Sequence, residues 1–69
     1  MKIFAERLKC LRKEEKITQV QMAGILGIGE RTYQSYEGGA HYPEIPCLIK
    51  IADYFGVSLD YLLGRSDER

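Results

Sequence analysis

Few residues in this sequence are able to perform catalysis or to bind a metal ion. His41 is the only histidine, and Cys10 and Cys47 belong to no Cys-x-x-Cys pair. Structural zinc sites use several cysteine and histidine ligands at close spacing, and this inventory does not supply them. Nucleophilic catalysis needs a serine or cysteine beside a histidine that a further polar group orients, and the sequence offers no such arrangement. We therefore expect free thiols, no metal, no cofactor and no enzymatic activity.

Length and charge restrict the class of protein. The chain has 69 residues, of which 45% are hydrophobic and 29% charged, a composition typical of one small folded domain. Its ten basic and ten acidic side chains cancel, so contact with nucleic acid would depend on a few placed groups rather than on a strongly basic surface. The sequence shows neither a signal peptide nor an apolar run long enough to cross a bilayer. We expect a cytoplasmic protein without membrane contact.

The first part of the chain is predicted to form three short helices. An apolar stripe at helical spacing places the first helix over residues 3–15. Thr18 begins a capping-box pattern that starts a second helix, which Gly27 is expected to end. A third helix is expected to begin at Glu30 and to end at Gly38. No stretch alternates apolar and polar residues as a half-buried strand does.

Two further helices are predicted in the second part. Pro46 lies in the first turn of the fourth helix, where its missing amide costs little, and Gly56 ends that helix. Ser58 is the expected N-cap of the fifth helix, which Gly64 ends. The predicted fold is therefore all-α, a compact bundle of five helices, followed by a free tail over residues 66–69.

The second and third helices are joined by a glycine-containing turn. Two short helices held at a fixed large angle by such a turn form a helix-turn-helix unit. In DNA-binding proteins this unit places the outer face of its second helix in the major groove, while the first helix lies across the DNA backbone. The spacing alone leaves equally open a five-helix bundle that has no such task.

Several short motifs, in a fixed order along the chain, resemble one known family. They are Glu6-Arg7-Leu8-Lys9, Leu11-Arg12, Ile17-Thr18-Gln19, Met22-Ala23, Leu26-Gly27-Ile28, Tyr36-Glu37-Gly38-Gly39, Tyr42-Pro43, Leu48-Ile49-Lys50-Ile51-Ala52 and the run from Phe55 to Gly64. Each is weak alone, but the ordered combination is specific. It looks like the helix-turn-helix domain of phage repressor, Cro and Xre-like regulators, which has a lambda-repressor-like fold. The resemblance implies a bacterial or phage transcriptional regulator that binds operator double-stranded DNA as a homodimer through residues 1–65. Among regulators, it favours a repressor.

The resemblance also implies which side chains contact DNA. They are Gln19, Glu30, Arg31, Thr32, Gln34 and Ser35. Beside these family positions, the side chains of His41 and Tyr42 are expected to add further DNA contacts. In this interpretation Gln19 contacts a phosphate, and Arg31 is able to reach the O6 and N7 atoms of guanine. Gln34 could pair with an adenine edge. Glu30 has two interpretations of equal weight: it accepts a hydrogen bond from cytosine N4, or it stabilises the helix as a first-turn carboxylate.

Other family positions imply a structural role. Arg12 and Glu37 match positions that form a largely buried ion pair between the first and third helices, and this pair orients the DNA-reading helix. Tyr33 and Tyr36 lie on the opposite side of that helix and are expected in the core. Gly38 replaces a residue that often contacts phosphate, which weakens the backbone contacts on which non-specific affinity depends. We therefore expect weak binding by a monomer and a need for two half-sites.

The family resemblance places a twofold contact near the end of the chain. Ile49, Tyr54 and Tyr61 are the predicted dimer-interface residues, with Tyr61 expected to be exposed. Val20 and Ile25 are expected to form a second exposed apolar surface. That surface and the zero net charge keep one alternative open, a protein-interaction module such as an antitoxin or anti-repressor whose main partner is another protein.

Overall fold

The computed structural model describes residues 2–69, which form five α-helices and no strand. The helices are α1 (Lys2–Glu14), α2 (Gln19–Leu26), α3 (Glu30–Glu37), α4 (Ile45–Phe55) and α5 (Leu59–Leu63). The predicted all-α bundle of five helices is confirmed. The observed ends of α1 differ from the expected ones by a single residue, which is the usual uncertainty of helix boundaries.

Two helices, α2 and α5, begin at the N-cap residues predicted from the sequence, Thr18 and Ser58. The Thr18 hydroxyl accepts a hydrogen bond from the backbone N–H of Gln21 at 3.0 Å, and the Gln21 side chain accepts from the backbone N–H of Thr18 at 2.8 Å. This reciprocal pair satisfies amides that the first turn of α2 leaves free. At the start of α5, Ser58 Oγ accepts from the backbone N–H of Tyr61 at 3.0 Å.

All five helices contribute to one hydrophobic core. Its largest fully buried side chains are Phe4, Leu8, Met22, Tyr33, Ile51 and Leu62. Full burial of an apolar side chain of this size contributes about 1.5–3 kcal/mol, so the core holds each helix against its neighbours. Tyr33 is in the core as predicted, and Tyr36 is half-buried against it.

The turn between α2 and α3 is tight and anchored. Gly27 ends α2 with φ +70°, a left-handed conformation that a residue with a Cβ rarely adopts. Ile28 follows, with its side chain packed against the core and its backbone N–H bonded to the Ala23 carbonyl at 3.0 Å. Gly29 then serves as the N-cap of α3 without a side-chain hydrogen bond. These contacts hold α3 at a fixed angle to α2.

The tail at residues 66–69 is not free, so that prediction is wrong. The carbonyl of Arg69 accepts from the backbone N–H of Ser58 at 2.7 Å, and the Arg69 guanidinium pairs with Glu14 through contacts of 2.6 and 2.9 Å. Arg7 donates to the Ser66 carbonyl at 2.7 Å and pairs with Asp67. The segment turns back because α1 offers it charged partners.

Within residues 2–69 no helix is both long enough and apolar enough to cross a bilayer.

Candidate nucleic-acid interface

The outer face of α3 is polar and open to solvent. Glu30, Arg31, Thr32 and Gln34 are exposed, and Ser35 is half-buried. On the opposite side of the same helix, Tyr33 is completely buried. The structure therefore exposes to solvent four of the five side chains of α3 that are predicted to read bases, and it leaves the fifth, Ser35, partly accessible.

Glu37, the last residue of α3, is the centre of a buried polar cluster. Its carboxylate accepts from Arg12 Nε at 2.6 Å and from Arg12 Nη2 at 3.1 Å. It also accepts from the Tyr33 hydroxyl and, at 3.1 Å, from Gln19 Nε2. Arg12 Nη1 donates to the Ile17 carbonyl at 2.8 Å, which ties the end of α1 to the same cluster. The predicted ion pair between Arg12 and Glu37 is confirmed.

The two buried charges of the cluster compensate each other. The side chains of Arg12 and Glu37 are only 11% and 3% exposed. Burial raises the pKa of Glu37, but the hydrogen bonds from Arg12, Tyr33 and Gln19 outweigh this effect and hold that pKa below its ordinary value. The hydrogen bond to Glu37 raises the pKa of Arg12. Glu37 is therefore ionised at neutral pH and fixes the C-terminal end of α3.

Gln19 joins this cluster to the surface. It is the first residue of α2 and is half-buried, with its amide nitrogen bonded to Glu37. A carboxylate only accepts hydrogen bonds, so the amide oxygen of Gln19 faces away from Glu37. One N–H of the amide and the first backbone amides of α2 remain available at a helix N-terminus, where an anion is favoured. A phosphate contact by Gln19 stays a prediction.

The loop after α3 is tied to the end of that helix. The backbone N–H groups of Ala40 and His41 both bond to the Ser35 carbonyl, at 3.0 and 3.3 Å. The His41 and Tyr42 side chains are both exposed, and the ring of Tyr42 also packs edge-on against Phe4 with centroids 5.6 Å apart. The DNA contacts assigned to His41 and Tyr42 stay predictions.

The predicted dimer residues differ in their surroundings. Ile49 and Tyr54 are each 44% exposed. Tyr61 is half-buried rather than exposed, which corrects the prediction, because the guanidinium groups of Arg7 and Arg69 lie 4.2 and 5.5 Å from its ring centroid. The reason is the returning tail, which brings Arg69 over the ring.

The second predicted apolar surface is smaller than expected. Val20 is exposed, but Ile25 is half-buried against the core, so the prediction of an exposed Ile25 is wrong. Burial of the neighbouring face of α2 draws Ile25 inward. A single exposed valine does not make an apolar patch of the size that marks an interface.

An apolar groove was not predicted from the sequence. It has a volume of about 390 Å³ and is lined by Tyr42, Pro43, Leu48, Leu63 and Arg65. Two further apolar side chains of α4, Ile45 and Ile49, lie one turn apart and are exposed, although neither lines the groove. Their spacing of four residues is the signal in the sequence that could have indicated this exposed apolar face.

The thiols and carboxylates do not assemble into a metal site in the described part of the chain. Among residues 2–69 no group of three histidine, cysteine, aspartate or glutamate side chains is placed to hold an ion. Cys10 is exposed and Cys47 is half-buried. Burial raises the pKa of the Cys47 thiol, which makes it a poor nucleophile.

The fold and the exposed polar helix define a small helix-turn-helix domain. A family model described as a helix-turn-helix domain matches residues 5–68, so the chain belongs to that family, as predicted. Over 68 residues the chain is 47% identical to the uncharacterized HTH-type transcriptional regulator YqaE of Bacillus subtilis, covering 97% of this chain and 59% of that protein. It is 46% identical over 60 residues to the cryptic phage CTXphi transcriptional repressor RstR of Vibrio cholerae, covering 87% and 54%.

Solved structures agree with these relatives. A transcriptional regulator from Listeria innocua superposes with a TM-score of 0.86 at 39% identity, covering 96% of this chain and 62% of that one. The DNA-binding domain of the P22 c2 repressor superposes with a TM-score of 0.80 at 26% identity, covering 88% and 80%. The chain spans between 54% and 59% of the length of the two curated relatives named above.

Proposed function

We propose that this chain is the DNA-binding domain of a transcriptional regulator, a repressor, that reads the major groove with the outer face of α3. One observation carries the proposal: a helix with four exposed polar side chains on its outer face is held rigidly by the buried pair of Arg12 and Glu37. A DNA-reading helix needs this combination, because base contacts are geometric and tolerate little movement. The names of the relatives, which are regulators and a phage repressor, support the same function.

The charge distribution favours binding through two domains at once. The formal net charge of zero provides little general attraction to DNA, although Lys9, Lys13 and Lys16 are exposed at the basic first helix and its end. A single domain therefore binds weakly. A homodimer would engage two half-sites whose centres lie about 34 Å apart, one turn of the duplex. A regulator of this kind acts in the cytoplasm, where the DNA is.

We propose that a second copy of the chain covers the exposed apolar side chains of α4 and the groove beside them. Ile45 is 68% exposed and Ile49 is 44% exposed on α4, and Leu63 lines the apolar groove together with Leu48 of the same helix as the two isoleucines. Apolar side chains grouped in this way are stabilised when a partner covers them. The proposed interface therefore contains Ile49, as predicted from the sequence, together with Ile45 and Leu63. Tyr61 is half-buried beneath the guanidinium groups of Arg7 and Arg69, and Tyr54 lies on another side of α4.

A gel-shift experiment tests the proposed function. The probe is the duplex upstream of the chain's own reading frame, and the assay is repeated over a range of salt concentrations. Specific retardation that weakens steeply with salt supports DNA binding, because phosphate contacts release counterions. Arg31→Ala is expected to abolish the specific complex without changing the melting temperature. Lys2→Ala is the charge-matched control, because it also removes one exposed positive charge. The next residue, Ile3, packs beside Gly64 at the end of α5, so Lys2 lies near α5 and is not part of α3.

The alternative of a protein-interaction module gives a different result. Such a module shows no retardation of the duplex even at low salt, and Arg31→Ala then has no effect to measure. That outcome would reject the proposed function.

A further inference from the structure

Each of the hydrogen bonds on the outer face of α3 uses one side-chain donor and leaves an oxygen acceptor facing outward. Gln34 Nε2 donates to Glu30 Oε2 at 3.2 Å, and Ser35 Oγ donates to the Thr32 carbonyl at 2.6 Å. Because a carboxylate only accepts, the amide nitrogen of Gln34 faces Glu30 and its oxygen faces away. The surface that meets a ligand is therefore rich in oxygen acceptors.

Gln19, on the neighbouring helix α2, is oriented in the same way as Gln34. Gln19 Nε2 donates inward to Glu37, so its amide oxygen also faces away from the cluster. Arg31 is the charged donor of the α3 face, and its guanidinium forms no ion pair with any other residue in the part of the chain described, 2–69. Arg31 is the only basic residue of α3 and directly follows Glu30 in the sequence. A strong acceptor and a strong donor therefore stand next to each other.

The four bases differ in how they meet a carboxylate in the major groove. Guanine shows two acceptors there, and thymine shows an acceptor and a methyl group. Adenine places its N7 acceptor beside its N6 donor, so the second carboxylate oxygen would face a lone pair. Cytosine shows the N4 amino donor and no acceptor. Only cytosine suits a carboxylate that carries no donor of its own.

We propose that Glu30 is a specificity-determining residue that accepts a hydrogen bond from cytosine N4, beside a guanine contacted by Arg31. This inference rests on the proposed DNA-binding function. Gln34 is a positioning residue, because its hydrogen bond holds the Glu30 carboxylate. The negative charge of Glu30 is also repelled by the DNA phosphates, whatever the base sequence. Binding is then more favourable where a cytosine amino group compensates for this repulsion, so Glu30 disfavours other sequences.

Selection from a library of duplexes with randomised positions tests the inference. The wild-type chain is expected to enrich sequences with cytosine at one position of each half-site, with a preference on the order of tenfold over the other bases. Glu30→Gln is expected to change that preference to adenine, because a glutamine amide bonds to both N6 and N7. Glu30→Ala removes the preference, and Gln34→Ala weakens it. The preferences at the remaining positions stay unchanged.

Glu44→Gln is the matched control. Glu44 is an exposed residue at the N-cap of α4, and its side chain makes no capping hydrogen bond. This substitution removes the same charge as Glu30→Gln and is expected to leave the base preferences as they are. Melting curves of Glu30→Gln should match the wild type, because Glu30 is exposed.

The possible results are distinguishable. If the wild type shows no preference for cytosine, or if Glu30→Gln retains the wild-type preference at every position, the inference about Glu30 is wrong. If the control Glu44→Gln produces the same change as Glu30→Gln, the effect is one of charge and not of base reading, and the inference is also wrong. If the wild type enriches no sequence at all, the proposed function itself fails.

Discussion

The carboxylate of Glu37, the last residue of α3, accepts two hydrogen bonds from the guanidinium of Arg12 in α1, at 2.6 and 3.1 Å. Both side chains are almost excluded from water, so neither charge can be solvated if the other is removed. The pair thus makes the position of the outer helix depend on the first helix of the chain. Stability and the proposed reading of DNA by α3 are coupled at this point.

Substitution of Glu37 by alanine is expected to destabilise the fold strongly. It leaves the Arg12 guanidinium buried without a counter-charge, which costs on the order of 3–5 kcal/mol. For a domain of this size each kcal/mol lowers the melting temperature by about 4–8 °C. DNA binding is lost with the fold. Thermal melts followed by circular dichroism measure the effect, and Glu6→Ala, at an exposed acid of α1, is the control. An unchanged melting temperature would contradict the buried ion pair.

The low pKa of Glu37 predicts loss of stability in acid. A glutamate in the unfolded chain titrates near pH 4.3. Because the pKa of Glu37 is lower in the folded state, its ionised form stabilises the fold above that pH, and this contribution disappears as pH falls through the folded-state pKa. Urea unfolding at pH 7 and pH 3 should therefore show a smaller difference between wild type and Glu37→Gln at pH 3. An equal difference at both pH values would argue against this titration.

The proposed dimer interface is tested by two substitutions on α4. Ile49 and Tyr54 are equally exposed but lie on different sides of the helix, since five residues turn it by about 140°. Ile49→Glu is expected to weaken the dimer by at least tenfold in sedimentation equilibrium, because it places a charge in the apolar contact. Tyr54→Glu is expected to have little effect. The reverse result would place the interface on the Tyr54 side of α4 instead of the Ile49 side.

The attachment of the tail at residues 66–69 is expected to contribute to stability more through Arg7 than through Arg69. Arg7 donates to the carbonyls of Tyr61 and Ser66 and pairs with Asp67, while its own side chain is only 21% exposed. Arg7→Ala should lower the free energy of unfolding by about 1.5–3 kcal/mol, as expected for hydrogen bonds from a charged group. Arg69→Ala removes an exposed ion pair and should have a smaller effect that vanishes in high salt. Urea unfolding at low and high salt measures both, and equal effects would contradict this ranking.

Two glycines provide a matched pair of alanine substitutions. Gly64 has φ +82°, and an added Cβ would lie 2.8 Å from Ile3 Cγ2, so Gly64→Ala is expected to destabilise the chain by more than about 1 kcal/mol. Gly24 lies within α2, and an added Cβ would meet no atom within 4 Å. Gly24→Ala is therefore expected to stabilise it by roughly 0.5–1 kcal/mol. Thermal melts of both variants give the comparison, and opposite signs are the result expected.

The positions of the helices could be predicted because helix ends are local. Thr18 and Gln21 cap each other within one turn, and the glycines that end α2 and α4 need no distant partner. The apolar stripes predicted most of the core for the same reason, since helical spacing alone decides which side chains share a face. The pair of Arg12 and Glu37 is a long-range contact, and only the resemblance to a family indicated it.

Contacts between distant parts of the chain were decided by the tertiary structure. Arg7 and Asp67 are separated by 60 positions in the sequence, and no local pattern says that the tail returns to α1 and covers Tyr61. The same is true of Gln19, whose amide direction is set by a carboxylate on another helix. The sequence by itself determined the helices, their caps and the polar face of α3, because these depend on neighbours within a turn. Tertiary packing decided which hydrogen-bond donors remain free and which surface stays exposed, because both depend on contacts with residues that are distant in the sequence.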